Sequence, residues 1–444
     1  MKKTVLIFAI ATTLTAGAQQ KWTLQQCVDY AMQNNIILRQ AKLEKQTATE
    51  NRKASQAALL PSLSASTNQS VGYRPWTVSE TVTVNNGTLS NKVRKTYYNG
   101  TYGLNASWTV WNGNKNHNQV KIDKVAEEQA DLDMQETANS IQERIAQLYV
   151  QVLYTNEAIA VNEQNLVVSK KNEERGQQMV EVGSMSKAEL AQLTAQRATD
   201  EYNLVAAQTD LADTKLELKQ LLEITGEQPF DVATPTASDE QALMDIPSLA
   251  GVYEQALTQR PEIKSAELEK QKSDLQLKVA RAGHMPTVNI TGGVSTSTSS
   301  NNSKGWGELM KNNFDATAGV GVSIPLFDQR KTRTAINKAQ LQQEKALLTM
   351  ENERKELYQT IEGYWLDALS NQQKFRAAIV TVESEQQSYD LLSEQFQLGL
   401  KNIVELLRGQ ASLLKAKHDK LQSKYLTILS QQLLYFYQGD GMTL

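Results

Sequence analysis

The residue types that most often carry chemistry are sparse in this chain. One cysteine (Cys27) and three histidines (His117, His284, His418) stand far apart among 444 residues. A zinc or redox centre needs such ligands at short, fixed spacings, so neither a metal site nor a disulfide framework is expected. Acids are plentiful, but they fall on the solvated faces of helical patterns, with no paired arrangement for acid–base work. The glycine-rich Thr291-Gly292-Gly293 lacks the Lys-Ser/Thr grip of a phosphate loop. A net charge of −3, with both signs mixed throughout, leaves no basic face for nucleic acid. The expectation is a protein that is not an enzyme and holds no cofactor. The charged group with the most suggestive spacing is Lys401, Glu405 and Arg408. Separations of four and three put all three on one helix face, where Glu405 can pair with either base. Their chemistry is electrostatic.

The elements that position these residues begin after an export signal. Lys2 and Lys3, an apolar run from Val5 to Leu14, and Ala16-Gly17-Ala18 form the three parts of a cleaved signal peptide over 1–18. The residues before Cys27 (Thr23 to Gln26) do not form a small-residue lipobox, so Cys27 is expected as a buried thiol. Mean hydropathy is −0.47, and no later run of 18 apolar residues exists, so any membrane insertion is expected to use β-strands.

The chain is written twice. AKLEKQ at 41–46 returns as AELEKQ at 266–271, a shift of 225 that also carries Pro61 to Pro286. SWTVWNGNK at 107–115 returns as SIPLFDQRK at 323–331, a shift of 216 that carries Tyr149 to Trp365, Gly183 to Gly399 and Glu189 to Glu405. The nine residues lost between these shifts lie between Pro61 and Trp111, where a loop tolerates a change of length.

Within each half the period changes from seven to two and back. Ile141, Ile145, Leu148, Val152, Thr155 and Ile159 keep coiled-coil spacing, and Leu357 to Phe375 repeat it one shift later. Leu190, Arg197, Leu204, Leu211 and Leu218, and likewise Leu407, Leu414, Leu421, Ile428 and Tyr435, recur every seven residues. Between 114 and 180 such a helix runs on the order of 100 Å. Around Leu104, Ala106, Trp108 and Val110, and around Val320 and Val322, apolar residues alternate with small polar ones, as in the strands of outer-membrane barrels. Aromatics gather at the ends of these windows and suit interfacial girdles: Tyr73, Trp76, Tyr97, Tyr98, Tyr102, Trp108, Trp111, Trp306, Phe314 and Phe327. Two hairpins supply four strands, and a barrel needs about eight or more, so the chain is expected to oligomerise.

The repeat, the PSLSAS and PTVNIT strand starts, the SIPLFDQRK passage and the paired breaks VGSMSKAEL and LGLKNIVELL resemble the TolC family of outer-membrane efflux proteins over essentially the whole mature chain. The resemblance implies a mainly α fold with a small β part. Tandem-duplicated helical hairpins would form a periplasmic tunnel, and four strands per chain would enter a homotrimeric, twelve-stranded outer-membrane barrel. On this plan 19–62 is the first helical segment, 63–111 the first β-hairpin and 112–225 the first long helical hairpin. Residues 226–247 form a linker in the equatorial belt, followed by a second helical segment at 248–286 and a second β-hairpin at 287–327. The second long hairpin spans 328–437, and 438–444 is a tail. The implied function is a passive exit duct, seated in outer-membrane lipid and docked through a periplasmic adaptor to an inner-membrane pump or ABC exporter. A periplasmic coiled-coil scaffold is the alternative.

The implied docking contacts lie at the hairpin breaks: Gly183, Ser184, Lys187, Gly399, Leu400 and Asn402. The implied gate residues are Phe396, Lys401, Glu405 and Arg408, each made a ring by threefold symmetry. The type member has acids at the positions of both Glu405 and Arg408. This chain keeps one and substitutes a base, so a double acidic ring is not expected.

Overall fold

The computed structural model describes residues 21–76, 81–84, 87–90, 94–226, 230–235, 237–302 and 304–442. The expected signal peptide over 1–18 lies outside the described residues. In chain order the first half contains α1 (Leu24–Asn34), α2 (Ile36–Ala57), β1 (Ser62–Tyr73), β2 (Thr81–Val84), β3 (Gly87–Ser90), β4 (Thr96–Trp111), α3 (Lys115–Glu181) and α4 (Lys187–Leu221). After α5 (Asp239–Ala242) come α6 (Leu249–Gln259), α7 (Pro261–Arg281), β5 (Thr287–Ser299), α8 (Trp306–Asn312), β6 (Asp315–Ser323), α9 (Lys331–Gln397) and α10 (Ile403–Gln438). Among the described residues no helix is long and apolar enough to cross a membrane.

The chain folds as two compact units. One comprises Leu43–Leu132 and Ser265–Glu351. Its sheet has the order β1-β4-β5-β6, every neighbour antiparallel, with β1 and β6 as edges. Residues directly opposite in an antiparallel pair share a face, and the register sorts the sheet cleanly. Ala65, Leu104, Val294 and Ala316 align across the four strands on one face, as do Leu63, Ala106, Gly292 and Ala318. The opposite face aligns Ser64 with Asn105 and Gly293, and Ser66 with Gly103 and Ser295. One side is apolar and the other is hydroxyl, amide and glycine. Ile324 and Phe327 fall beyond β6, which ends at Ser323, because Pro325 removes a ladder donor. Trp306 stands on a short helix and not at a strand end. Beside the sheet, Arg52 and Lys45 of α2 pair with Glu127 (2.6 Å) and Asp131 (2.5 Å) of α3. Ile122 and Val125 of α3 pack on Leu275 of α7.

The passage from strand to long helix is the same twice. Gly113 and Asn114 both take left-handed φ (66° and 63°), and so do their repeat partners Gln329 and Arg330 (53° and 67°). Asn112 and Asp328 then accept from the amides of Asn116 and Thr332, four residues on in each helix.

The other unit comprises Met1–Lys42, Asp133–Lys264 and Asn352–Leu444. Its core centres on Cys27, Ala31, Ile145, Val152, Ile361 and Leu434. Each helical segment at the start of a half is broken once, at Asn35 and again at Arg260, residues related by the shift of 225. The stretch between halves is tied down. Trp22 bridges Val232 in parallel, and Lys424 donates to Ala237 O at 3.1 Å. The amides of Gln372 and Gln431 reach Met244 O at 2.8 and 3.0 Å.

Candidate functional site at the hairpin tips

Both long hairpins turn by one mechanism. At the first, the amide of Gly183 donates to Val180 O and that of Ser184 to Met179 O, at 3.0 and 2.8 Å. At the second, Gly399 donates to Phe396 O and Leu400 to Gln395 O, at 3.0 and 2.9 Å. This pair of bonds requires a left-handed residue, and Gly183 and Gly399 supply it at φ 75° and 73°. The next helix then starts on a capping box. Ser186 and Asn402 accept from the amides of Glu189 and Glu405, whose carboxylates accept from the cap amides in return. Lys187 opens α4 next to its cap.

The capping box changes the reading of Glu405. Its carboxylate holds the start of its own helix and is also paired with Lys401 Nζ at 2.7 Å. Lys401 first, and the Asn402 amide next, keep it below the usual glutamate range. Glu189 is lowered likewise, by the amide and hydroxyl of Ser186. Arg408 is exposed one turn further on. Phe396 is turned the other way, into an apolar cluster with Met185, Leu193, Tyr389, Ile403 and Leu406 that joins the two hairpins just behind their tips. The tips themselves present apolar surface: Val182, Leu398 and Leu400 are all more than 70% exposed.

Behind that cluster lies a polar layer that the heptad reading does not single out. Asp200 of α4 is buried with no cation paired to it among the described residues, held by Ser169 Oγ and by Gln196 Nε2 at 3.0 Å. Gln410 of α10 spans the layer, donating to Ser169 Oγ (2.7 Å) and Asn165 Oδ1 (3.0 Å) of α3. Further along, His418 meets Asn162 Oδ1 at 3.0 Å, and burial lowers its pKa. A seam read from apolar period alone passes over such positions; only a polar residue in register with the buried stripe marks them. A second cluster surrounds Arg260, which pairs with Glu262 (2.8 Å) and stacks on Tyr437 (4.2 Å). Glu136 and Glu353 are raised there by burial first and neighbouring carboxylates second.

Most of the aromatics expected to form a girdle lie toward the two ends of the sheet. Tyr73, Tyr97, Tyr98 and Tyr102 lie toward the loop that joins β1 to β4, and Trp76 follows on that loop. Trp108 and Trp111 lie at the helix end of β4, and Trp108 donates to Leu59 O at 2.8 Å.

Comparison with known proteins gives one family. The family described as outer membrane efflux protein matches residues 27–223 and again 252–440, once per half. The outer membrane efflux protein BepC of Brucella suis is 24% identical over 93% of this chain and 86% of its own. The cation efflux system protein CusC of Escherichia coli O157:H7 is 23% identical over 93% of this chain and 85% of its own. A crystal structure of CusC superposes with a TM-score of 0.80 at 19% identity, over 94% of this chain and 92% of that one, which shows the shared fold. The twofold match, the helical hairpins and the two-faced sheet agree: the chain belongs to the outer membrane efflux protein family and is a protein of the outer membrane.

Proposed function

We propose that the protein is the exit duct of a tripartite efflux pump or a type I secretion system. Three copies close their sheets into one twelve-stranded barrel, and the long hairpins extend as a tunnel into the periplasm. The observation that carries this reading is a four-stranded sheet with one apolar face, one polar face and two edges that pair with no strand among the described residues. Closure by copies of itself satisfies both edges, turns the apolar face to lipid and leaves the polar face to water. A soluble scaffold would leave that apolar face in water.

The tips are the docking end. Their exposed Val182, Leu398 and Leu400 flank the rigid turns at Gly183-Ser184 and Gly399, with Lys187 and Asn402 opening the next helices. An adaptor that inserts apolar tips between these hairpins supplies the missing cover, and an inner-membrane pump or ABC exporter drives transport through it. At the gate, Lys401, Glu405 and Arg408 form rings by symmetry, and Phe396 braces them from the buried side.

The mass of the detergent-solubilised particle tests the assembly: three polypeptides are expected, and a monomer overturns the duct. Conductance in planar bilayers tests the gate. The variant Glu405→Ala/Arg408→Ala should open more often than the wild type, and an unchanged record removes both residues from the gate.

A further inference from the structure

We infer that α8 is an interfacial helix lying on the lipid side of the barrel wall, and that with Phe314 it closes a notch for an acyl chain of the outer leaflet. The inference rests on the barrel reading above. The position of α8 is fixed by three contacts. Thr296 Oγ1 donates to Met310 O at 2.6 Å, and Asn313 Nδ2 to Ser297 O at 2.7 Å. The Trp306 ring meets Tyr102 edge-on, with centroids 6.1 Å apart. Thr296 and Tyr102 are register partners, two residues from the Leu104–Val294 pair on the same face. The helix therefore lies against the apolar face, and the polar face beneath the lumen is left open.

Its side chains sort in the same sense. Leu309 is buried against the sheet, while Trp306 and Phe314 are 57% and 61% exposed. Phe314 stands with Ala65, Leu104 and Val294 around an open, almost wholly apolar notch of about 330 Å³. This notch continues the face already assigned to lipid, which commits its occupant: an acyl chain and not a soluble ligand. Indole rings favour the headgroup boundary. On the polar side of the helix, Lys304 pairs with Glu308 at 3.1 Å and Lys311 is exposed, long enough to reach headgroups. The strand ends that bear α8 are the ones remote from Pro286 and Lys331, where the chain enters or leaves the helices, so the leaflet is the outer one.

Depth-dependent quenching tests this on the full chain in phosphatidylcholine bilayers, some lipids carrying bromine on the acyl chain. The emission lost on Trp306→Phe isolates Trp306 from the other five tryptophans. Strong loss of that emission with bromine near the headgroup, a smaller loss with bromine at the terminal methyl and none with aqueous iodide support the proposal. Quenching by iodide alone overturns it, since the helix would then stand in water, over the mouth or against a loop. No quenching by either overturns it in favour of burial against protein. If Trp306→Phe does not assemble, a fluorophore on Phe314→Cys, at the notch itself, asks the same question, because Cys27, the only native thiol, is buried. A channel that conducts normally and fails these tests sinks only the lipid notch; one that does not conduct sinks the duct.

Discussion

α4 and α10 are the same helix written twice, since a shift of 216 carries Lys187–Leu221 onto Ile403–Tyr437, yet they are not buried alike. α10 buries side chains from Ile403 to Tyr437, while α4 buries only Leu193, Asp200 and Leu218. Val205 is 55% exposed and its repeat partner Leu421 is 9% exposed. Tyr202 stands in solvent where His418 is half-buried. Duplication preserved the turn, the cap and the length, and let the environment diverge. The second copy is enclosed by its own chain, and the first is left largely exposed.

The largest test of that contrast is the pair Lys424 and Gln208, which occupy one repeat position. Lys424 is 5% exposed, bonded to Glu157 at 2.9 Å beside the Tyr425 hydroxyl, which also donates to Glu157. Gln208 is exposed. Removing one partner of a buried pair leaves the other charge unanswered, so Lys424→Met should cost about 3 kcal/mol. Gln208→Met should stay within about 0.5 kcal/mol. Urea unfolding in detergent, followed by helical signal, measures both. Similar losses would mean that the two helices are equally buried in the assembled protein.

A subtler contrast lies in the hairpin crossings. In the first hairpin Gly176 faces Leu193, and a Cβ on it would come 2.4 Å from the leucine Cδ1. In the second, the same two positions hold Leu392 and Gly409, and the added Cβ would come 2.7 Å from Leu392 Cδ1. Each crossing holds one leucine and one glycine, on opposite helices. Gly409→Leu should therefore overpack by about 2 kcal/mol. Adding Leu392→Gly should recover most of it, because the roughly 1 kcal/mol of helix propensity lost at one site is regained at the other. A double-mutant cycle without coupling would show that the crossings are not equivalent.

The strand-to-helix passages reverse the comparison, since here the second copy is the worse one. Gln329 and Arg330 hold left-handed φ that Gly113 and Asn114 adopt at lower cost. Gln329→Gly with Arg330→Asn should stabilise by about 1 kcal/mol, less than the backbone strain alone because glycine also frees the unfolded chain. Gly113 itself has a second duty, since a Cβ there would lie 2.6 Å from Met285 Cβ. A fall in unfolding midpoint for the double variant would show that the side chains of Gln329 and Arg330 hold the passage.

How far the fold was legible follows from these same residues. Alternation gave both faces of the sheet, and the repeat gave the paired glycines, because each is a local rule with a fixed period. The capping boxes were also open to reading, as Ser186–Glu189 and Asn402–Glu405 at the required spacing. The short helix α8 was not, because the polar stretch 300–314 between two strands looks like loop until the apolar face of the sheet gives Leu309 somewhere to go. The seam was only partly right. Leu218 of the seam is fully buried, but Leu190, Leu204 and Leu211 are only half-buried, while Leu193 and Asp200, outside the seam, are buried almost as deeply as Leu218. A helix packed on two neighbours buries a stripe wider than a two-helix seam. Which of two like helices becomes core depends on its neighbours, and no periodicity within it carries that.

The smallest expected effect would sharpen the likeness of the two tips. The carboxylates of Glu189 and Glu405 are both held below the usual glutamate range by their caps. A carboxyl whose folded pKa is depressed adds stability above its unfolded value, about 4.3, and loses it as pH falls through the folded value. Both tips should therefore fray together as acid protonates the boxes, with faster amide exchange at the first turns of α4 and α10. Glu405 is held by Lys401 as well, at 2.7 Å, whereas Glu189 leans on Ser186 alone for its lowering. Raising salt, which screens an exposed ion pair but hardly touches a backbone cap, should then move the onset of fraying upward at the second tip and leave the first where it was. Equal salt shifts at both would mean that Lys401 contributes nothing to the second turn, and would free it for a role at the gate.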